Sequence, residues 1–438
     1  MSKTFREWHV EQRWLLPPSL DEFVPEGHLA HFIRDLVRET LDLSAILDTY
    51  LEERGYPPYH PAMMTALLLY AYSQGIYASR RIARACEQRV DVMAVTGLQR
   101  PDFRTIATFR RRHLRALAGL FRQVLRLCRK AGLVTLGHVA LDGTKLKANA
   151  SKHKAMSYGR MKTREPELEQ AIQAEVQKML DRAEAEDAAD DRRLGEEVRG
   201  DELPDHLRTK QQRLAAIRHA KAALEAEARE QAQAAGKDPH TATVPDKAQR
   251  NFTDPESRIQ KTRDGFLQGY NAQAAVDAEA QVIVACELTP GAADVEHLPG
   301  LVEQIRQHLR RKPREVSADA GYSSDDNLQF LERKGIAAFI PSTRQKHTDL
   351  WLPAPRGRIP NGLTRRQRMA RRLLTIRGRA RYALRKITVE PVFGQVKQAR
   401  GFRGVLLRGL EKARAEWTLV CTVHNLLKLF GCGRWASA

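Results

Sequence analysis

Val134-Thr135-Leu136-Gly137-His138-Val139-Ala140-Leu141-Asp142-Gly143-Thr144-Lys145 is the stretch on which the reading of this chain turns. Val134, Leu136, Val139 and Leu141 make a short β-type run, the first after a hundred residues of helical pattern. The run delivers Asp142 at a strand end. A second short strand, Glu315 to Ala318, ends in Asp319-Ala320-Gly321-Tyr322. A helix predicted over Thr388 to Ala399 carries Glu390 in its first turn, where Pro391 is tolerated because its missing N–H would be unsatisfied anyway. An isolated Asp after a strand is ordinarily a cap or turn residue, and Asp325 and Asp326 read that way. Carboxylates on strand ends and an adjacent helix can also converge from distant positions, and hard divalent cations require such oxygen ligands.

Upstream, residues 26–131 read as helical, with Leu29, Phe32, Ile33, Leu36 and Val37 at helical spacing and Pro61 opening a second helix. A short helix follows at Ser79 to Glu87. The next is predicted from Thr105 to Ala131, its start carrying Arg110, Arg111, Arg112, His113 and Arg115. This pattern suggests a helix-turn-helix-like reader of DNA, helped by the attraction of a helix N-terminus for phosphate. A plain bundle with a solvated basic face fits the same residues equally well.

Downstream, Leu168, Ile172, Val176, Met179 and Leu180 form one helical stripe, and Leu207, Leu214, Ile217 and Leu224 another. With the acidic turn Glu184 to Asp205 between them they predict an antiparallel helical hairpin, followed by a loop over Ala234 to Arg250. Strand patterns return at Gly265 to Val276 and Gln281 to Leu288, a hairpin turning at Asp277-Ala278-Glu279-Ala280. Helices at His297 to Leu309 and Ser324 to Lys334 alternate with strands at Glu315 to Ala318 and Ile336 to Ile340. The expected class is α+β and multidomain. An all-α domain spans 1–131 and a mixed α/β domain spans 132–430, the latter interrupted by a helical insertion at 151–250, with a tail at 431–438.

The formal net charge of +20 calls for an anionic partner, and a phosphate backbone is the commonest. Between Arg356 and Lys386 lie twelve Lys or Arg and no acid. A solvated face would mix signs, so this block points to phosphate, with charge-driven local disorder as the alternative. The five cysteines are scattered with no CxxC pair, so neither a zinc site nor a disulfide framework is implied, and a reducing cytoplasm suits them. Met1 to Gln12 is too polar for a signal peptide, and Ala66 to Tyr72, the longest apolar run, is too short to span a bilayer. No Walker-type loop is present, so no nucleotide cofactor is expected.

Three blocks resemble the signature motifs of DDE transposases from bacterial insertion sequences. They are Leu141-Asp142-Gly143-Thr144-Lys145, Ala318-Asp319-Ala320-Gly321-Tyr322, and Val389-Glu390-Pro391-Val392-Phe393-Gly394-Gln395-Val396-Lys397. The Gly265-Phe266-Leu267-Gln268-Gly269-Tyr270-Asn271-Ala272-Gln273 segment and Val423-His424-Asn425-Leu426 are similar to that family too, and Val24 to His113 resembles its InsH-type N-terminal domain. The resemblance implies an RNase H-like catalytic fold in which Asp142, Asp319 and Glu390 are catalytic and bind two Mg²⁺ or Mn²⁺ ions. Tyr382, Arg385, Glu390 and Lys397 fit the family's Tyr, Arg, Glu and Lys signature, except that four residues rather than three separate Arg385 from Glu390. Lys386 would restore the shorter spacing. The expected DNA contacts are therefore Arg110, Arg111, Arg112, Lys145, Tyr382, Arg385, Lys386 and Lys397.

The implied reaction is metal-dependent cleavage at the element's ends, followed by attack of the freed 3′-hydroxyl on target DNA. Its partners are double-stranded DNA, as element end and as target, and a second copy of the chain in a synaptic homodimer. The location is cytoplasmic and nucleoid-associated, with no membrane partner. The competing expectations are an RNase H-like nuclease that cuts without joining and a domesticated, non-cutting DNA-binding regulator.

Overall fold

The computed structural model of the chain describes residues 19–50, 58–150, 155–190, 205–262, 265–343, 353–360 and 362–433. The stretch Met1 to Gln12, the 191–204 part of the expected acidic turn, the side chains of Met179, Leu180 and Leu207, and the tail from 434 lie outside that description.

The N-terminal part is helical: α1 (Leu20–Phe23), α2 (Leu29–Glu39), α3 (Ser44–Leu47), α4 (Pro61–Ser73), α5 (Ser79–Gln88), α6 (Val90–Thr96), α7 (Phe103–Arg112) and α8 (Leu114–Lys130). His28 and His60 cap α2 and α4 through Nδ1, which accepts the N–H of Ala30 at 3.2 Å and of Ala62 at 3.1 Å. The single helix expected from Thr105 to Ala131 is instead two. At His113 the backbone leaves helical values (φ −103°, ψ 17°), and the imidazole stacks on Tyr50 and bonds its hydroxyl at 3.1 Å. Arg110, Arg111 and Arg112 therefore occupy the last turn of α7, not a helix start. The macrodipole there suits the arginines themselves but offers nothing to an anion, so the phosphate argument from a helix N-terminus falls.

The sheet begins with β1 (His138–Lys147). An excursion follows: β2 (Ala155–Ser157), α9 (Tyr158–Asp190), α10 (Asp205–Ala234) and β3 (Gln249–Asn251). β2 and β3 pair as a two-stranded sheet at the foot of the two helices. Ion pairs run Glu165 to Lys221, Glu169 to Arg218 and Glu175 to Lys210, descending along α10 as they ascend along α9, which makes the helices antiparallel. Met161, Leu168, Ile172, Leu214, Ile217 and Leu224 give this hairpin a core of its own.

The main sheet resumes with β4 (Arg258–Thr262), β5 (Gly265–Asp277) and β6 (Ile283–Thr289). It continues through α11 (Leu298–Leu309), β7 (Glu315–Ser317), α12 (Asp325–Arg333) and β8 (Ala337–Phe339). In space the order is β6-β5-β1-β7-β8, with β4 extending the outer edge of β5. The pairs β6–β5 and β5–β1 are antiparallel; β1–β7 and β7–β8 are parallel. Val139, Ala140, Leu141, Ala272, Ala274 and Ala275 are fully buried, because helices cover both faces of the central strands.

The chain closes with α13 (Arg365–Leu374), α14 (Ile376–Gly394), a π-turn at Gln395–Ala399, and α15 (Leu410–Gly431). α15 caps the sheet edge: Asn425 donates to the carbonyl of Ile283 and accepts its N–H, both at 2.8 Å, and so satisfies groups that β6 would leave open. It also binds the N-terminal helices. Phe430 packs on Phe32, Cys128 of α8 donates to the Asn425 carbonyl, and the Tyr72 hydroxyl donates to Glu416. Apart from the hairpin with its own core, one hydrophobic core joins the N-terminal helices to the sheet, from Val24 to Leu429.

Candidate active site

Asp142 lies in the middle of β1, not at its end as the apolar run suggested. The strand continues through Lys147 because β5 is long enough to pair with all of it, Asp142 opposite Ala274 and Lys147 opposite Gly269. Asp319 follows β7, where its carboxylate caps a 3-10 turn by accepting the Gly321 N–H at 2.9 Å. The parallel pairing of β7 with β1 brings this turn beside Asp142.

Glu390 arrives from α14, and here the sequence expectation is corrected twice. The helix starts at Ile376, so the basic run is helical and Glu390 sits near its C-terminal end, not in a first turn. Pro391 is consequently inside a helix, where it withdraws the N–H that the Ile387 carbonyl would accept. Gln281, in the β5–β6 turn at φ 58°, supplies the replacement through Nε2 at 2.9 Å. The same residue accepts from His424 through its carbonyl and from Lys428 through Oε1, so one left-handed residue ties α14 to α15.

Arg385 stands between two of the acids. Its guanidinium donates to Asp142 Oδ2 at 2.6 Å and to Glu390 Oε1 at 2.9 Å, with the Tyr382 ring 6.0 Å away. Of the two bases that the signature left open, Arg385 faces the acids and Lys386 is exposed. Lys397, in the π-turn, donates to Thr144 Oγ1 at 3.0 Å and to the Lys145 carbonyl at 3.1 Å, so it lies against β1 two residues from Asp142. Lys145 donates to the Ala292 carbonyl at 3.0 Å.

The electrostatics mark a place short of positive charge. Burial pushes the Asp142 carboxyl up to about 6, with Asp319 and Glu390 adding to the effect while Arg385 and the Gly143 N–H oppose it. Asp319 is raised as well, first by burial and then by Asp294. Burial lowers Lys145 and Lys397.

Asp294 is the residue that the sequence reading missed. It sits in the loop after β6, and its Oδ1 accepts from Asn271 Nδ2 and from Gln273 Nε2, each at 2.7 Å. Asn271 and Gln273 are fully buried and two apart on β5, hence on one face, and they oppose Lys145 and Gly143 of β1. Two adjacent buried amides on a strand needed a partner, and that was the available signal.

The N-terminal arginines fare differently. Arg110 is withdrawn from the DNA contacts: it is 6% exposed and donates to the Tyr72 hydroxyl, the Tyr77 carbonyl and Ser79 Oγ. Arg111 is exposed, and Arg112 lies over the Tyr50 ring and donates to the Thr49 carbonyl. In the basic block, Arg365, Arg366, Arg377 and Arg381 pair with Glu332, Asp325 and Glu315, which fold the block onto α12 and β7. A cleft of about 590 Å³ remains between α12, β8 and α13, its rim formed by Arg365, Arg368, Arg372 and Arg377.

An all-oxygen donor set with excess negative charge suits a hard divalent cation. Among the described residues no three His, Cys, Asp or Glu side chains are gathered as an ion-holding group; the Arg385 guanidinium takes the position between Asp142 and Glu390. The carboxylate oxygens of Asp142, Asp319 and Glu390 are donors of the kind such an ion takes, and Arg385 now occupies two of them.

Residues 238–426 match the family model of the transposase DDE domain, and residues 18–112 match that of a transposase domain, DUF772. The chain belongs to the DDE transposases of insertion sequences, enzymes that act on DNA as polynucleotidyl transferases. The sheet order described above is accordingly that of an RNase H-like fold. Asp319 and Glu390 fall inside the matched segment. Asp142 precedes it, separated from the rest of the sheet by the helical insertion. No curated protein and no solved structure matches the chain. The family generally uses divalent metal ions. Among the described residues no helix is long and apolar enough to cross a membrane.

Proposed function

We propose that this transposase cuts the ends of its element and joins them to target DNA with Asp142, Asp319 and Glu390 as the catalytic acids. The observation that carries the reading is their convergence: Arg385 touches Asp142 and Glu390 together, and Asp319 lies close enough to raise Asp142. The three acids would hold two Mg²⁺ or Mn²⁺ ions, which supply charge neutralisation for an in-line displacement at phosphorus. The chain's own groups do the rest. Asp142 is pinned by the Gly143 N–H at 2.8 Å, and Lys397, bonded to Thr144 and the Lys145 carbonyl, and Lys145, bonded to the Ala292 carbonyl, each keep ammonium hydrogens for a backbone phosphate. Arg385 leaves the acids for a DNA phosphate as the duplex enters, with Tyr382 beneath it. Arg111, Arg112 and Lys386 add sequence-independent contacts. Residues 1–131 act as the DNA-binding part, 132–430 as the catalytic part, and two copies pair the two ends.

The test is a labelled element-end duplex incubated with Mg²⁺ or Mn²⁺ and the full chain or its Glu390→Gln variant. Metal-dependent nicking and joined products are expected from the wild type, with both lost in the variant while DNA binding persists. Binding should weaken steeply between about 50 and 200 mM salt, as phosphate contacts dictate. Nicking without joining would indicate a nuclease. A variant as active as the wild type would remove Glu390 from the triad.

A further inference from the structure

We infer that Asp294 is a fourth acid of the active site, sharing a divalent cation with Asp319. The inference rests on the metal-dependent reading above and adds a residue that the triad does not contain.

Asp294 is held by design of the strand beneath it. The amides of Asn271 and Gln273 both converge on Oδ1, so the carboxylate cannot rotate without losing two bonds. Its other oxygen accepts no hydrogen bond among the described residues. That oxygen is turned toward Asp319. A methyl placed on Gly321 would stand 3.1 Å from Asp294 Oδ2 and 3.0 Å from Asp319 Oδ1, so the two oxygens flank one small space. A methyl on Gly143 would be 2.9 Å from Asp294 Oδ1. The strand at Gly143 and the 3-10 turn at Gly321, which border this carboxylate, thus lack a side chain where one would crowd it.

Two carboxylates facing one gap repel each other unless a cation lies between them. Among the described residues no cationic side chain forms an ion pair with either acid. Lys145 feels both charges, yet its ammonium is bonded to the Ala292 carbonyl and forms no ion pair with either acid among the described residues. A second observation points the same way. Asn271 is fully buried, donates one amide N–H to Asp294, and is left with its own Oδ1 unpartnered beside that carboxylate. Oxygen acceptors outnumber donors here, in a form that a hard cation satisfies and a hydrogen-bonded peg would not need.

The experiment is Mn²⁺ binding to the full chain without DNA, followed by the paramagnetic signal of free Mn²⁺. The variants are Asp294→Asn, Asp319→Asn, the two combined, and Gly321→Ala. Asn at 294 keeps an acceptor for both amides, so a purely structural role would survive it. Asp294→Asn is expected to weaken Mn²⁺ binding by about tenfold or more, the scale on which metal-site partners act. The double variant should be no worse than the weaker single, since both acids serve one ion. Gly321→Ala should weaken binding with the hydrogen bonds of Asp294 intact. Wild-type affinity in Asp294→Asn, alongside loss in Asp319→Asn, would overturn the inference and leave the triad standing. A wild-type chain that binds no Mn²⁺ and cuts no duplex would overturn both.

Discussion

Replacing Arg110 with alanine removes a guanidinium that is 6% exposed and makes three hydrogen bonds inside the protein. The larger loss is indirect. Arg110 donates to the Tyr72 hydroxyl, and Tyr72 donates to Glu416, a fully buried acid of α15 whose Oε2 also accepts the N–H groups of Leu406 and Leu407. Burial raises Glu416, and Arg110 is the foremost influence opposing it. Stripping one member from a buried charge pair costs about 3–5 kcal/mol. Because a tyrosine separates the two groups, the lower figure applies, about 3 kcal/mol. Unfolding entropy near 2.1 cal/mol/K per residue gives roughly 0.9 kcal/mol/K for the 438 residues if they melt as one unit, hence a Tm lower by about 3 °C. The assay is thermal unfolding in parallel with DNA affinity at 25 °C across a salt series. Arg110→Ala should melt lower yet bind DNA within about twofold of the wild type, with an unchanged salt slope. The reverse pattern, unaltered melting with a shallower slope, would return Arg110 to the DNA contacts and refute its structural role.

Two further expectations follow from the site. The Asp142 carboxyl moves from its ordinary 3.8 to about 6, so the folded chain holds that proton more tightly than the unfolded chain does; the stability it contributes is full below about pH 4 and lost as pH rises through 6. In metal-free urea titrations, Asp142→Asn should gain on the wild type between those values, by at most about 3 kcal/mol, and a difference flat with pH would contradict the burial argument. Gln281→Leu should cost about 1–3 kcal/mol by removing its side-chain bonds to Ile387 and Lys428. The cost should shrink in a Pro391→Ala background, where the helix again supplies the Ile387 carbonyl with a donor; strict additivity would show that Gln281 does not compensate for the proline.

The sheet was legible where apolar residues alternate or run together, as in Val139 to Leu141 and along β6. It was illegible where polar residues do the pairing. β4 buries Gln260, which donates to the Pro290 carbonyl, and β3 is Gln249-Arg250-Asn251; neither shows an apolar period. The start of α14 was hidden for another reason. Ile376 is 81% exposed and Gly378 is the one buried residue of α14 before Thr388, so its first three turns carry no apolar stripe to betray a helix. The candidate acids drew attention through their motifs, not through spacing; Asp142 was expected at a strand end and lies inside β1, and Glu390 was expected in a first turn and lies near the C-terminal end of α14. Asp294 had no motif in the sequence reading, and only the register of β5 against β1 shows what Asn271 and Gln273 are for.

The core shared by the N-terminal helices and the sheet has a consequence for exchanging those helices between related chains. α8 lies on α15, Phe32 on Phe430 and Tyr72 on Glu416, so the helices before β1 are packed into the enzyme rather than tethered to it. Exchanging those helices between two elements would import part of the shared interior along with their exposed surface. A viable chimera would have to carry α15 across with them, or keep the packing face of α8 (Leu117, Leu120, Phe121, Val124 and Leu125) and alter only exposed positions such as Arg111. Were these helices the part that recognises DNA, new specificity would come from resurfacing them and not from swapping them as a module.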